Sequence, residues 1–292
     1  MIIPWSTSLA SQWDAYCDDH PLAWFWHRSG WMTYCASRQD VFNLSFAVIV
    51  DGEIVGICPI IHEGSALLYE GAPCPEPLYD SDIAKRELFA HLRSVMDAYR
   101  IDHYDFRGDV DDITTTDLSW KTRIIDLQRK SDMESIHRWR NVRKSYKSLI
   151  HNAQATHRIE KSIDPRDVGM LHALHTAQAR RETRPQQTWD LMAAWVQTGH
   201  AYVCTAFNSA GICAGAIYVY SYKDREYYGH AATAVDNINH ALVWEAIRTS
   251  DAYEFEMGWQ GHAANKKESS IEFFRRGFGG TDQPFSVSRM YA

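Results

Sequence analysis

The sequence lacks several features that would define its class at once. No stretch approaches the ~18 consecutive apolar residues that a membrane-spanning helix needs. The first ten residues lack a basic segment followed by an apolar run, so no secretory signal is predicted. The six cysteines show no Cys-x-x-Cys spacing, and Cys58, Cys204 and Cys213 lie in apolar, strand-like runs that favour buried thiols. These absences predict a cytoplasmic protein in a reducing compartment.

Net positive charge and a metal-ligand pattern are missing as well. The formal charge is −7, whereas a general phosphate reader is usually basic, so non-specific nucleic-acid binding is not expected. His172 and His175 lie one helical turn apart, but no third ligand accompanies them, and no metal site is predicted. The glycines at 277, 279 and 280 follow a helical pattern, whereas those of a dinucleotide fingerprint follow a strand.

What is present is a repeated order of elements in a chain of 292 residues, long enough for two domains. In the first half, helical patterns precede two strands joined by Asp51-Gly52, a hairpin signal. A helix over Ile83–Tyr99 and a strand over His103–Arg107 follow. The second half opens with a basic helical segment, Met133–Ala153, and repeats the order of helices, strand meander, loop, helix and strand. This repetition predicts a duplicated α/β (α+β) unit.

The repeat also predicts the domain boundaries. The first domain is expected at residues 1–132 and the second at residues 133–280. The tail, residues 281–292, contains an alternating strand pattern over Phe285–Tyr291 that is a candidate to return to the first domain's sheet.

A strand, a polar loop and a helix follow one another in the last fifth of the chain. Strand formers occupy Ala214–Tyr228, the polar loop is Asp236–His240, and a helical pattern covers Ala241–Arg248. A helix N-terminus after such a loop is a natural phosphate site, because its backbone N–H groups lack partners. The loop has no glycine to allow close approach of a phosphate, which leaves the size of the cofactor open. The candidate cofactor-binding residues here are Asn239, His240 and Ala241; a helix N-cap at Asn239 is the alternative.

Five short motifs, in this order, resemble the FemAB-like branch of the GNAT acyltransferases. They are Phe25-Trp26-His27 with Trp31, the basic run Trp139–Lys147, Leu242–Ile247, Phe255–Gly258, and Phe274-Arg275-Arg276 before Gly277–Gly280. The resemblance implies two tandem GNAT-like domains, each a mixed, mostly antiparallel twisted sheet flanked by helices. It further implies that the second domain carries the acyl-donor site, with the strand Ala214–Tyr220 beside the acyl-carrying arm of coenzyme A. Lys266, Phe274 and Arg275 are candidates to complete the donor site, although the cationic cluster of Lys266, Lys267, Arg275 and Arg276 could instead hold the phosphates of the acceptor.

Transfer of an acyl group to an amine requires a proton acceptor, because an ammonium group cannot attack a thioester. His230, near the end of a strand, and Glu256, on the next strand, are the candidate bases. Tyr228, or its neighbour Tyr227, is the candidate donor to the leaving thiolate. An ordinary buried histidine and a structural salt bridge are the alternatives for the two bases, and Asp105 and His103 are weaker candidates.

Cationic and aromatic residues are the candidates for holding an anionic acceptor. Arg140, Arg143, Lys144 and Lys147 follow one another at helical spacing and would share one face of the basic helix, although a solvated face is the usual fate of such a run. The candidate substrate-binding residues are Arg143, Lys144, Lys147, Arg184, Trp189, Trp31, His27 and Arg107.

The sequence therefore predicts an N-acyltransferase that uses acyl-CoA as co-substrate. The expected acceptor is a small amine, an amino sugar on a nucleotide diphosphate used in surface polysaccharide synthesis. Two alternatives stay open: an aminoacyl-tRNA-dependent peptidoglycan peptidyltransferase of the FemX type, and a non-catalytic module that binds a nucleotide sugar or a partner protein. No membrane partner is expected, and no nucleic acid unless tRNA is the donor; the chain is expected to be a monomer or homodimer.

Overall fold

The computed structural model describes residues 1–37, 41–63, 66–67, 75–108, 120–127, 138–260 and 265–291. It divides into two compact units, one of Met1–Ser119 with Phe285–Ala292 and one of Trp120–Pro284. The domain boundary predicted after residue 132 falls within residues 128–137, outside the described part, and stays a prediction.

The first unit contains a four-stranded sheet with a long helix packed on it. Its helices are α1 (Ala10–Asp19), α2 (Ser29–Ala36) and α3 (Asp82–Tyr99), and its strands are β1 (Ile2–Pro4), β2 (Val41–Asn43), β3 (Phe46–Val50), β4 (Glu53–Cys58), β5 (Ile61–Glu63), β6 (Ala66–Leu67), β7 (Leu78–Tyr79), β8 (His103–Arg107) and the last strand of the chain, β16 (Val287–Tyr291). The strand order of the main sheet is β1-β3-β4-β7. Asp51 and Gly52 both have positive φ angles between β3 and β4, as the predicted hairpin turn requires.

The tail of the chain pairs with the first unit. Strand β16 runs antiparallel to β8, from Val287 opposite Arg107 to Tyr291 opposite His103. Arg289 binds the carboxylate of Asp105 through two contacts of 2.6 Å. Asp105 is therefore engaged in a structural salt bridge with Arg289.

The second unit is built on a seven-stranded sheet with the order β10-β11-β12-β13-β14-β9-β15. Its strands are β9 (Trp120–Asp126), β10 (Arg158–Ser162), β11 (Ala201–Phe207), β12 (Cys213–Tyr222), β13 (Arg225–Thr233), β14 (Glu254–Gln260) and β15 (Thr281–Phe285), and its helices are α4 (Lys144–Thr156), α5 (Asp167–Ala179), α6 (Gln186–Gln197), α7 (Ile238–Thr249) and α8 (Lys266–Arg276). Strands β10 to β13 are antiparallel neighbours, and β13 and β14 are parallel.

Helices cover both faces of this sheet, which explains why β11 and β12 read as nearly continuous apolar runs. One face packs against α4 and α7, where Tyr146 and Leu242 meet Val219 in one buried cluster. On the other face, the hydroxyl group of Tyr218 donates to the backbone carbonyl of Met192 in α6. The predicted class of mixed, mostly antiparallel sheets flanked by helices is confirmed.

The basic segment is not one helix over Met133–Ala153. Residues 138–141 are helical, the chain then breaks, and α4 begins at Lys144; residues 133–137 lie outside the described part. The break occurs because Val142 is buried and the Arg143 N–H donates to the carbonyl of Gly277 at 2.8 Å, which draws the chain out of the helix. The predicted continuous cationic face is therefore interrupted.

Candidate functional site

The parallel pair of strands at the centre of the second unit opens into a fork. Pairing between β13 and β14 runs from Arg225–Glu254 to Tyr227–Glu256 and ends there among the described residues. Beyond that point, residues 228–233 of β13 and 257–260 of β14 face the opening, and these two segments are called the fork. Strand β12 is paired on both sides, so the expectation that Ala214–Tyr220 offers an edge to the donor is wrong. The fork exposes an edge of β13 and the facing edge of β14.

Two irregularities at glycines create the fork. The register of β13 against β12 shifts around Gly229, where a Cβ atom would stand 2.6 Å from the ring of Tyr220. The register of β14 against β9 shifts before Gly258, which has a φ of +92°. A bulge bends its strand, and bulges here lie on both strands where they part.

Strand register sorts the candidate catalytic side chains between the two faces of the sheet. Tyr227 is paired with Tyr220 and Glu256, and His230 is paired with Tyr218, two residues from Tyr220 on the same strand. Because side chains alternate along a strand and paired residues share a face, Tyr227, His230 and Glu256 lie on one face. Tyr228, paired with Val219, lies on the opposite face. The fork is thus flanked by a carboxylate on one side and a phenol on the other.

Glu256 is a buried carboxylate at the opening of the fork. Its residue is 4% exposed, and its Oε1 atom accepts a hydrogen bond of 2.5 Å from the Thr122 hydroxyl on β9. The bond orients the carboxylate.

His230 has polar partners on two sides. Its Nε2 atom lies 2.9 Å from the Tyr220 hydroxyl, and the Arg184 guanidinium lies 3.1 Å from Nδ1 and 3.2 Å from Nε2. Burial, the Arg184 charge and His175 lower the pKa of His230 well below its ordinary value. A guanidinium only donates, so protonation of this ring would place two cationic groups in contact. The Arg184 contact therefore opposes the predicted role of His230 as proton acceptor.

Tyr228 is the first residue of β13 after Tyr227, which forms the last pair with β14 before the fork. Its hydroxyl oxygen accepts a hydrogen bond of 2.9 Å from the side-chain amide of Asn239 on α7. Burial raises the pKa of Tyr228, and the Asn239 hydrogen bond and the Arg275 charge partly oppose that rise. A raised pKa keeps the phenol protonated at neutral pH, the state that a proton donor requires.

The N-terminus of α7 lies beside the end of β13. The helix begins at Ile238, three residues before the predicted start, and its N-cap is Asn237 with a φ of 64° and no side-chain capping bond. Asn239 is therefore a residue of the first turn, and the alternative reading of it as the N-cap is wrong. An uncapped N-terminus suits a phosphate, but the neighbouring Asp236 is exposed and places a carboxylate there.

Comparisons with known proteins agree with this architecture. No family model matches the chain, and no curated protein matches it. A solved structure of FemX superposes on 100% of this chain and 97% of its own, with a TM-score of 0.68 and 11% identity. A tandem GNAT protein from the clavulanic acid biosynthesis pathway covers 100% of this chain and 98% of its own, with a TM-score of 0.51 and 13% identity. The C-terminal domain of a putative lysylphosphatidylglycerol synthetase from Agrobacterium fabrum covers 98% of this chain and 92% of its own, with a TM-score of 0.60 and 9% identity.

The chain has a FemAB-like tandem GNAT fold. At these identities the likeness concerns the fold alone, and the motif-based prediction of that fold is confirmed.

Three of the predicted donor-site residues of this GNAT fold lie in or beside an aromatic cluster. The centre of the His240 ring lies 4.3 Å from that of Tyr146 and 5.1 Å from that of Phe274. Burial and the Arg143 charge lower the pKa of His240. Ala241 is fully buried, which leaves only its backbone for a ligand. The predicted role of these side chains in binding a cofactor stays a prediction, with packing as their observed contact.

Arg275 and Lys266 are placed differently from one another on α8. Arg275 donates from Nη1 to the carbonyl of Trp259 at 2.8 Å. A Cβ atom on Gly258 would stand 2.9 Å from its Nη2 and 3.1 Å from the Tyr227 hydroxyl, so both groups lie over this glycine of the fork. Lys266 is the first residue of α8 and is exposed. Arg275 is therefore at the fork, whereas Lys266 is a surface cation.

The cations of the basic segment are only partly open to a ligand. The Arg143 guanidinium lies 3.8 Å from the ring centre of Phe273 and 4.9 Å from that of Tyr146. Lys147 donates to the carbonyl of Arg140 at 3.3 Å, and Lys144 is exposed at the first position of α4. The expected cluster on one helix face does not form, because the helix breaks between these residues.

The remaining aromatic candidates are core residues. Trp189 is 3% exposed and stacks on His172 with 4.5 Å between ring centres. In the first unit, Trp31 is 2% exposed and His27 is 1% exposed, with the His27 Nδ1 accepting from the Trp24 N–H at 2.9 Å. None of these three rings reaches the surface, so the predicted substrate contacts of Trp189, Trp31 and His27 lack an exposed ring face. Arg107, also in the first unit, lies over the ring of Phe285 at 4.4 Å.

The described residues contain no cluster of histidine, cysteine and acidic side chains that could hold a metal. His172 pairs with Glu182 at 2.9 Å, and His175 with Thr183 at 2.9 Å. In the same part of the chain, no helix is both long and apolar enough to cross a membrane.

Sequence reasoning missed four residues that shape the site: Thr122, Tyr220, Gly229 and Gly258. The two glycines carried a readable signal, because an isolated glycine inside a strand pattern indicates a bulge or a close approach. Thr122 and Tyr220 carried none, since their roles depend on which strands become neighbours.

Proposed function

We propose that the second unit transfers an acyl group from an activated ester or thioester to an amine. The observation that carries this proposal is the fork between β13 and β14, with Glu256 on one face of the sheet and Tyr228 on the other. An acyl donor with an amide-bearing arm would pair with the exposed edge of β13 as an added strand. Backbone N–H groups at that edge would polarise its carbonyl group.

The reaction balances with these residues. The amine nitrogen attacks the carbonyl carbon, a C–N bond forms, and the bond from carbon to the sulfur or oxygen of the leaving group breaks. Glu256 accepts the proton that the amine gives up, and Tyr228 gives its proton to the leaving group. Arg275, over Gly258 together with the Tyr227 hydroxyl, adds positive charge beside the carbonyl oxygen as it becomes negative. Glu256 is preferred to His230 because Arg184 opposes protonation of that ring.

The first donor to test is an acyl-CoA. The uncapped N-terminus of α7 fits one of its phosphates. The proposed acceptor within this scheme is an amino sugar on a nucleotide diphosphate, which the exposed Lys144 at the N-terminus of α4 would help to bind.

An aminoacyl-tRNA donor, as in the FemX type of enzyme, is the second candidate. The observation that favours it is the loop before α7, which has no glycine and carries Asp236 where coenzyme A would place its diphosphate. A terminal aminoacyl ester needs no diphosphate site at this helix.

The two donors can be separated by direct turnover. Purified protein is incubated with acyl-CoAs of increasing chain length and with nucleotide-linked amino sugars, and free thiol is measured. In parallel, radiolabelled aminoacyl-tRNA is offered with a muropeptide acceptor. Glu256→Gln is expected to lower kcat ~10²-fold or more with the correct donor. The surface variant Asp164→Asn serves as the matched control for loss of a carboxylate and is expected to behave as the wild type. Absence of turnover with both donors would contradict the proposal and favour a non-catalytic binding module.

A further inference from the structure

The contact between Asn239 and Tyr228 fixes the direction of a hydroxyl group. The Nδ2 atom of Asn239 can only donate, so the Tyr228 oxygen is the acceptor in their 2.9 Å bond. The Tyr228 proton must then point elsewhere, and the described residues offer it no acceptor. The Oδ1 atom of Asn239 is itself buried without a partner in the same part of the chain.

Both members of this pair are held firmly in place. Tyr228 belongs to a strand that pairs with β12 through Val219. Asn239 belongs to the first turn of α7, whose residues Leu242, Val243 and Ala246 are fully buried against the sheet. Rotation of α7 would expose that apolar surface, so the amide group keeps its position relative to the phenol.

We propose that Asn239 is a positioning residue that acts through Tyr228. By donating to the phenol oxygen, it turns the hydroxyl proton toward the fork, where the leaving group of the acyl donor departs. In the transfer step that proton moves from Tyr228 to the leaving sulfur or oxygen, and the Asn239 N–H stabilises the phenolate that remains. The inference rests on the proposed acyl transfer and replaces the phosphate-binding role that the sequence predicted for the Asn239 side chain.

The two roles of Asn239 predict different kinetics. A phosphate ligand contributes to donor binding, so its loss would raise KM for the donor and leave kcat nearly unchanged. A residue that orients the acid acts in the chemical step, so its loss would lower kcat with little change in KM. For Asn239→Leu we expect kcat to fall about tenfold, the usual effect of one lost hydrogen bond, against ~10²-fold for Tyr228→Phe.

A double-mutant cycle tests whether Asn239 acts through Tyr228. If it does, Asn239→Leu in the Tyr228→Phe background causes no further loss of kcat. A merely structural role would make the two losses multiply, which would overturn the inference.

An NMR titration tests the pair without any turnover. Protein labelled at the ζ carbon of tyrosine is titrated with base, and the Tyr228 signal is identified by its absence in Tyr228→Phe. Loss of a donor to the phenolate predicts a higher pKa of Tyr228 in Asn239→Leu and in Asn239→Asp. The exposed helical residue Asn152 supplies the matched control, Asn152→Leu, which should leave the signal in place. A fall of the pKa in Asn239→Leu would show that the amide presents its oxygen, and an unchanged pKa would show that no hydrogen bond forms; either result would make the inference wrong.

These readouts separate two kinds of failure. If the wild-type protein turns over neither donor, the proposed function fails and the catalytic role of the pair fails with it. The titration then still decides whether the hydrogen bond exists. If the wild type is active but kcat is unaffected by Asn239→Leu, the function stands and the positioning role is refuted.

Discussion

The packing of α8 against α4 predicts how much an alanine at Gly277 lowers the stability of the protein. Gly277 ends α8 with ordinary helical angles, φ −68° and ψ −17°, so an alanine there meets no backbone strain. Its Cβ atom, however, would stand 1.9 Å from Cε2 of Tyr146 and 2.5 Å from two further ring atoms. Gly277→Ala therefore tests packing alone, at the end of the helix that carries Arg275.

The Tyr146 ring cannot move aside cheaply. Tyr146 is 6% exposed. The centre of its ring lies 4.3 Å from that of His240, 5.4 Å from that of Phe278 and 4.9 Å from the Arg143 guanidinium. Overpacking of a buried site costs about 1–3 kcal/mol, and a clash with a ring enclosed in this way belongs at the upper end, about 3 kcal/mol.

A second glycine supplies the matched control. Gly169 lies within α5, and a Cβ atom there would meet nothing within 4 Å. Gly169→Ala should raise the stability by about 0.5–1 kcal/mol, because alanine loses less backbone entropy on folding. The two variants carry the same chemical change and are expected to differ by about 4 kcal/mol, with opposite signs relative to the wild type.

Urea unfolding followed by tryptophan fluorescence measures this difference as a shift of the midpoint. The midpoint should fall for Gly277→Ala and rise for Gly169→Ala. In the Tyr146→Ala background, Gly277→Ala should lower the free energy of unfolding by less than it does in the wild type. Equal midpoints for the two glycine variants would refute the packing argument and the placement of α8 against α4.

Two further predictions concern titrating groups in the second unit. Arg184→Gln should raise the pKa of His230, because a positive charge is removed, while burial still holds that pKa below the ordinary 6.5. Proton NMR of the imidazole measures the pKa in the wild type and in the variant. An unchanged pKa would contradict the contact between Arg184 and His230. Glu226 is 3% exposed, accepts from the Tyr202 hydroxyl at 2.6 Å and lies 3.9 Å from Lys161, and burial raises its pKa above the ordinary 4.5. The folded state therefore holds this proton more tightly than the unfolded chain, and the stability it adds is present below pH 4.5 and lost as pH rises through the folded-state pKa. Glu226→Gln should be more stable than the wild type at pH 7, with the advantage shrinking toward pH 4.5; thermal melts across that range check it, and a constant difference would refute it.

Local signals predicted the elements well where they did not depend on distant partners. The strand His103–Arg107 has its predicted bounds, and the Asp51-Gly52 turn connects β3 to β4 as its residue types indicate. Helix α3 begins one residue before its predicted start and ends where predicted, because its cap, Ser81, accepts from the Ala84 N–H.

The site depended on pairings that no local pattern contains. The fork exists because bulges fall at Gly229 and just before Gly258, on two strands that are neighbours in the sheet but are separated by α7 in the chain. The burial of Trp189 follows from its stacking on His172, and a helical pattern alone does not say which aromatic residue faces inward. The break before α4 follows from a hydrogen bond between Arg143 and Gly277, more than a hundred residues apart. Long-range contacts therefore account for most of the differences between the site predicted from the sequence and the site in the structure.

Backbone hydrogen exchange tests the central claim, that the fork receives the acyl donor. Exchange is measured with and without acetyl-CoA, and with and without a non-hydrolysable aminoacyl-adenosine that mimics the end of an aminoacyl-tRNA. The proposal predicts that one of the two slows exchange in residues 228–233 of β13, while β11, which is paired on both sides, is unaffected. Unchanged exchange of residues 228–233 with both compounds, each added in large excess over the protein, would contradict the claim that the donor lies in the fork.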